Sequence, residues 1–247
     1  MSNEIENKVA LVTGGSRGIG AAVAVRLAEA GADVAFTYQS NDEAAGKVVE
    51  KIKQTGRRAL AIRADGADAA AVVAAVDETA ETFGRFDILV NNAAAFIVAP
   101  VDQIGADQLE QTIALNIRAP FVAAQAAVRH MADGGRIVSV GSNVAEHTPF
   151  PGFSLYAMSK TALTGMTKGL ARDLGPRGIT VNVVHPGPTD TDLNPADGEN
   201  APTFAGFTAL NRYAAPDEIA ATVVHLAGPG GAYVTGTTIS VDGGFSA

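Results

Sequence analysis

Lys8-Val9-Ala10-Leu11-Val12-Thr13-Gly14-Gly15-Ser16-Arg17-Gly18-Ile19-Gly20-Ala21-Ala22, residues 8–22, is the stretch whose reading decides the fold. A short apolar run, Val9–Thr13, has the length and β-branched character of a buried strand. A glycine-rich turn follows it, and the alanine-rich stretch Ile19–Ala30 then shows helical spacing. Glycines in such a turn let the backbone bend sharply and approach a pyrophosphate resting on amide N–H groups at the helix start. The spacing here is G-x-x-x-G-x-G rather than G-x-G-x-x-G, and on its own it also fits a plain strand-to-helix connection.

Working outward, the same alternation recurs along all 247 residues. Strand-like runs are Val9–Thr13, Val34–Tyr38, Ala59–Arg63, Ile88–Asn91, Arg136–Val140, Thr180–Val184 and Thr238–Val241. Helical patterns fall between them at Ile19–Ala30, Glu43–Gln54, Ala69–Phe83, Ala106–Met131, Ser154–Leu174 and Pro216–Leu226. Strands separated by amphipathic helices read as βαβ units, hence a parallel sheet covered on both faces. The expected architecture is α/β: a Rossmann-type doubly wound sheet of about seven strands in one domain, residues 1–247. His185–Asn211 breaks the pattern, being rich in Pro, Gly, Asn and Asp without a clear period. A loop of that length after a strand emerges at the carboxyl edge of the sheet, so residues 186–211 are expected to be a substrate-binding lid.

Composition narrows the function. Hydrophobic residues make up 47% and charged residues 18%, enough for a sizeable core. With 18 Lys+Arg against 26 Asp+Glu the net charge is −8, a poor match for nucleic acid or an anionic membrane surface. Cysteine is absent, which removes disulfides, thiol nucleophiles and thiolate metal sites and suits a reducing cytoplasm. The four histidines lack ligand spacing, so no metal is expected. The first residues carry no basic-then-apolar leader, and no apolar run is long enough to span a bilayer.

The chemistry is carried by two clusters. At the end of the second strand, Tyr38-Gln39-Ser40-Asn41 brings no carboxylate before Asp42. An acidic residue there would bind a ribose 2′-hydroxyl and repel a 2′-phosphate. Arg17, inside the glycine turn, offers a guanidinium suited to phosphate, and the pair of observations favours NADP(H) over NAD. Further on, Tyr156 and Lys160 stand four apart on an expected helix, hence on one face. A nearby cation lowers the pKa of a phenol from its usual ~10 and makes it usable as an acid or base. Ser142, just after the strand Arg136–Val140, is available at the carboxyl edge to hydrogen-bond a carbonyl oxygen.

Together these residues resemble the short-chain dehydrogenase/reductase family over essentially the whole chain. T-G-x-x-x-G-x-G is Thr13–Gly20, N-N-A-G appears as Asn91-Asn92-Ala93-Ala94, and Y-x-x-x-K is Tyr156 and Lys160 with Ser142 upstream. Pro186-Gly187, Asn116 and the ending Val241-Asp242-Gly243-Gly244 also match. The resemblance implies a tetrad of Asn116, Ser142, Tyr156 and Lys160. Tyr156 would exchange the proton, Ser142 would orient the carbonyl, and Lys160 would hold the ribose and depress the tyrosine pKa. Asn116 would position a water behind Lys160. The cofactor would lie against Gly14, Ser16, Arg17, Gly18, Ile19, Gly20, Tyr38, Ser40, Asp65, Asn92, Ala93 and Ala94. Tyr156, Lys160, Pro186, Gly187, Thr189 and Thr191 would complete that surface. Ala94 replaces the family's usual glycine, and Gly66 replaces its usual apolar residue beside the adenine.

Phe150, Phe153, Phe204 and Phe207, with Val144 and Leu193, are the candidate substrate pocket, although the phenylalanines also suit plain loop anchoring. His185 reads as packing behind the site. Ala157, Thr161, Gly165 and Gly169 form a small-residue stripe that fits either the chain's own sheet or a twin helix, and the family's usual tetramer favours a homotetramer or dimer. The leading expectation is an NADPH-dependent reductase of a small ketone or aldehyde. The alternatives are a 3-oxoacyl-(acyl-carrier-protein) reductase and a nucleotide-binding regulator on the same fold.

Overall fold

The computed structural model describes residues 5–247. Part of the stretch read as lacking a leader, residues 1–4, therefore lies outside the described residues. Seven strands form one sheet: β1 (Val9–Val12), β2 (Asp33–Tyr38), β3 (Ala59–Arg63), β4 (Phe86–Asn91), β5 (Met131–Val140), β6 (Thr180–Pro186) and β7 (Thr238–Val241). Their spatial order is β3-β2-β1-β4-β5-β6-β7 and every pairing is parallel. The order reverses direction between β1 and β4, so a crevice opens there at the carboxyl edge, where doubly wound sheets bind ligands.

The helices are α1 (Gly18–Glu29), α2 (Asp42–Gln54), α3 (Ala69–Phe83), α4 (Ala106–Thr112), α5 (Ala119–His130), α6 (Ser154–Leu174), α7 (Ala201–Gly206) and α8 (Pro216–Ala227). Residues alternate across the sheet with the period of two that a strand imposes. On β1, Ala10 and Val12 face a core shared with Val23, Leu27, Phe36, Val223 and Leu226. Val9 and Leu11 face the opposite core of Val76, Ala123, Ala127, Ile137 and Val181. Each fully buried Val, Leu, Ile or Phe among them contributes about 1.5–3 kcal/mol, so the two cores hold the sheet edge rigid beneath the site. The bounds of α3 coincide with expectation because both its stop signals are local. The Asp68 side chain accepts from Ala70 N–H, and Gly84 takes the left-handed conformation at φ +76°.

Two expectations are corrected. Ala106–Met131 is not one helix: α4 gives way to a π-helical turn at Ile113–Arg118 before α5, and Met131 belongs to β5. Pro120 supplies the reason, because it has no N–H to donate to the Asn116 carbonyl four residues back. The turn widens instead, with Ala119 N–H bonding to Ala114 O. The aperiodic stretch His185–Asn211 likewise contains structure, the short helix α7.

On α6 the small-residue stripe does not pack on the chain's own sheet. Thr161, Gly165 and Gly169 are exposed, and a Cβ placed at Gly165 or Gly169 meets nothing within 4 Å. Met158 and Phe121 are also exposed, at 47% and 48%.

Candidate active site

The turn between β1 and α1 forms one wall of a cavity of about 450 Å³. Gly14 and Gly18 adopt φ of +66° and +53°, where a side chain is strained. Gly20 is required for a different reason: a Cβ there would lie 2.3 Å from Gly14 O. Thr13 Oγ1 accepts from Asn92 N–H (2.9 Å) and Ala93 N–H (3.1 Å), and Asn92 Nδ2 donates to Thr13 O and Gly14 O. These bonds lock the turn to the end of β4. No side chain caps α1, and its first turn carries no acid. Its leading amide groups are therefore available to an anion.

Ser16, Arg17, Ile19, Tyr38, Asp65, Asn92, Ala93, Ala94, Pro186, Gly187, Thr189 and Thr191 line the same cavity, whereas Ser40 is exposed outside it. Gln39 lines the wall at that point. Asp42, the first carboxylate after β2, lies beside the Tyr38 hydroxyl and holds that phenol above its ordinary pKa. The gap expected at Gly66 is filled by Leu115, whose Cδ1 lies 2.6 Å from where a Cβ at Gly66 would stand.

Toward the centre of the sheet the cavity meets Ser142, Tyr156 and Lys160. Lys160 is buried, and its Nζ donates to Val140 O at 3.0 Å. Ser142 is buried just beyond β5, with a long hydrogen bond of 3.4 Å to Asn143 Oδ1. The Tyr156 pKa is pushed up to about 12 by burial, with the Ser142 hydroxyl pulling the other way. Burial brings Lys160 down to about 8. The expected lowering of the phenol by Lys160 does not appear here: burial raises it, and the one opposing influence is the Ser142 hydroxyl.

Asn116 is buried in the π-helical turn and does not line the cavity. Its Nδ2 donates to Ala95 O (2.9 Å) and Ser159 Oγ (3.0 Å), and its Oδ1 accepts from Ala95 N–H (2.7 Å). Both amide donors are spent holding the segment after β4 against α6. Its side chain therefore braces the segment after β4 against α6 rather than facing the cavity. His185 is fully buried behind Gly141, with Nδ1 3.5 Å from Glu146 Oε1. Burial lowers its pKa, opposed by Glu146.

Val144, Phe150, Phe153, Leu193 and Phe204 line the outer part of the cavity, while Phe207 stands behind that wall against Phe150. Sequence reasoning missed Phe96 and Phe245. Phe96 meets the Tyr156 ring edge-on (4.9 Å, 86°). Both follow strands of a parallel sheet and so emerge at the carboxyl edge, a signal available at Asn91 and Val241. Among the described residues no group of three or more His, Asp or Glu side chains is arranged to hold a metal, and no helix is long and apolar enough to cross a membrane.

The family described as enoyl-(acyl carrier protein) reductase matches residues 14–246. The chain is similar to a short chain dehydrogenase from Burkholderia cenocepacia solved in complex with NADP, at 55% identity and a TM-score of 0.98. That match covers 99% of this chain and 100% of the other. It is 43% identical over 240 residues to the cyclic-di-GMP-binding biofilm dispersal mediator protein of Escherichia coli, covering 97% of this chain and 98% of that one. A hydroxynaphthalene reductase-like protein of Metarhizium guizhouense is 38% identical over 254 residues, with 97% and 95% covered.

Proposed function

The chain belongs to the short-chain dehydrogenase/reductase family, and from that premise we propose that it reduces the carbonyl group of a small ketone or aldehyde with NADPH, Tyr156 giving the proton. The observation that carries this reading is a single cavity holding Ser142, Tyr156 and Lys160 together with the glycine turn and Arg17. This cradle fits a 2′-phosphorylated dinucleotide: Gly14, Gly18 and Gly20 clear the backbone, and the exposed Arg17 lines the same cavity as Tyr38 and Gln39. When bound, NADPH supplies the hydride that adds to the carbonyl carbon.

The chain's own residues handle the proton. With a pKa near 12, the Tyr156 hydroxyl stays protonated at neutral pH and is ready to donate to the carbonyl oxygen. Ser142 Oγ donates to the same oxygen and sets its direction. Lys160, still mainly charged below its pKa of about 8, stabilises the phenolate left on Tyr156 and takes the ribose hydroxyls. Asn116, in the π-helical turn behind Lys160, positions the water through which Lys160 and Tyr156 are resupplied with protons. Residues 1–247 work as one unit with 186–211 as its lid, in the cytoplasm, as a homotetramer or dimer meeting through the exposed stripe of α6.

Residues 186–211 carry Asp190, Asp192, Asp197 and Glu199 but no Lys or Arg. They repel phosphopantetheine and other anionic groups, which favours an uncharged apolar or aromatic ketone over a 3-oxoacyl thioester. Following NADPH consumption with an aryl ketone beside acetoacetyl-CoA tests both readings. A higher kcat/KM for the ketone supports this one, a clear win for the thioester selects the acyl-carrier reductase, and turnover of neither supports a regulator.

A further inference from the structure

The last residues of the chain build part of the substrate pocket. β7, like every strand of a parallel sheet, delivers its succeeding residues to the carboxyl edge. Gly243 and Gly244, at φ +64° and +80°, turn the chain back there. The Asp242 carboxylate accepts from Gly244 N–H and Ser246 N–H, each at 3.0 Å, and so holds the hook closed. Leu210 N–H donates to Gly243 O at 3.1 Å, tying the hook to the segment that comes after α7. A Cβ at Gly244 would sit 2.7 Å from Ala209 Cβ, so the two segments are in close contact.

The hook presents Phe245, only 6% exposed, on the cavity wall. Its ring stacks on Phe207 (5.6 Å, 29°) and meets Phe150 at 6.5 Å, with His147 at 6.1 Å. Phe207 supports it from behind and does not itself line the cavity. Ring contacts run in a row from Tyr156 through Phe96, Phe153 and Phe150 to Phe245. Phe245 ends that row, four ring contacts from the phenol that gives the proton.

We infer that Phe245 is a specificity-determining residue, the end wall that limits the substituent a ketone carries away from its carbonyl. The inference rests on the carbonyl reductase reading. Phe245 is buried and Phe207, itself 44% exposed, stacks on it, so displacing the Phe245 ring costs that contact and disfavours an oversized substituent. Truncating the ring opens a space that only the longer substrate can fill.

The test compares acetophenone with its para-phenyl analogue on wild type, Phe245→Ala, Phe245→Leu and Phe245→Trp. Both kcat/KM and the Kd of each ketone for the NADP-loaded protein are measured. Phe245→Ala is expected to raise the preference for the bulky ketone about tenfold or more, Phe245→Leu by less, and Phe245→Trp to move it the other way. NADP affinity stays unchanged in all three. A preference that does not move, or a parallel loss of both ketones in variants with native circular dichroism, overturns the inference. If Phe245→Ala does not fold, the opposed Leu and Trp variants decide. If wild type turns over neither ketone, the reductase reading fails, while the Kd ratios still decide the role of Phe245.

Discussion

Lys160 Nζ donates to the carbonyl of Val140, the last residue of β5, at 3.0 Å. One bond thus fixes the buried ammonium to the strand end from which Ser142 projects two residues later. The Lys160 ammonium, the Ser142 hydroxyl and the Tyr156 phenol one helical turn away therefore share one frame of strand end and helix.

Tyr156→Phe removes the phenolic hydroxyl proposed to give the proton and little else. Turnover is expected to fall by about 10²–10⁴-fold, while NADPH binding stays near wild type. Steady-state kinetics and fluorescence titration check this, and retention of more than a tenth of wild-type kcat would be incompatible with the role given to Tyr156.

Burial lowers Lys160 to about 8 in the protein without ligand. A cofactor that contacts the charged form favours it, so binding draws in a proton where the empty site has lost one. NADPH affinity should therefore decline as pH rises through about 8 and be level below it. Calorimetry at pH 9 in two buffers of different ionisation enthalpy should report proton uptake. Uptake of none would show that Lys160 keeps its charge or lies away from the cofactor.

Arg17→Ala should erode the preference for NADPH over NADH. The lost charge-assisted contact is worth about 1.5–3 kcal/mol, which corresponds to a drop of roughly tenfold or more in the ratio of the two kcat/KM values. Wild type using both cofactors equally well would contradict the assignment of Arg17 to a 2′-phosphate.

Gly165 lies on the exposed stripe of α6, where a Cβ meets nothing within the chain. Gly165→Glu should leave the fold intact and shift a dimer or tetramer toward monomer, because the interface then buries an unpaired carboxylate. Light scattering gives the mass directly. A wild-type mass near the 25.1 kDa of one chain excludes the proposed assembly.

Most of the scaffold was legible because its causes are local. The glycine turn, the Asn41 and Asp68 caps, the left-handed Gly84 and the run of β-branched strands each act within a few residues, so α3, α6, β3 and β7 fall where periodicity placed them. The break in Ala106–Met131 was also written in the chain, at Pro120, but the alanine-rich amphipathic pattern on either side masked it. The small-residue stripe on α6 could not be assigned to inside or outside, since small residues suit both.

What the sequence by itself determined is therefore the order of strands and helices, the residue types brought to the carboxyl edge, and the absence of a carboxylate at the end of β2. Tertiary structure alone decided the rest. It spends the Asn116 amide on Ala95 and Ser159, replaces the missing wall at Gly66 with Leu115, and brings Phe96 and Phe245 into one row with Phe150 and Phe153. Its burial also raises the pKa of Tyr156 and lowers that of Lys160. Contacts between residues about twenty to a hundred positions apart depend on how the crossovers stack, and desolvation depends on everything packed around a group. Neither quantity has a local signature for a sequence pattern to reveal.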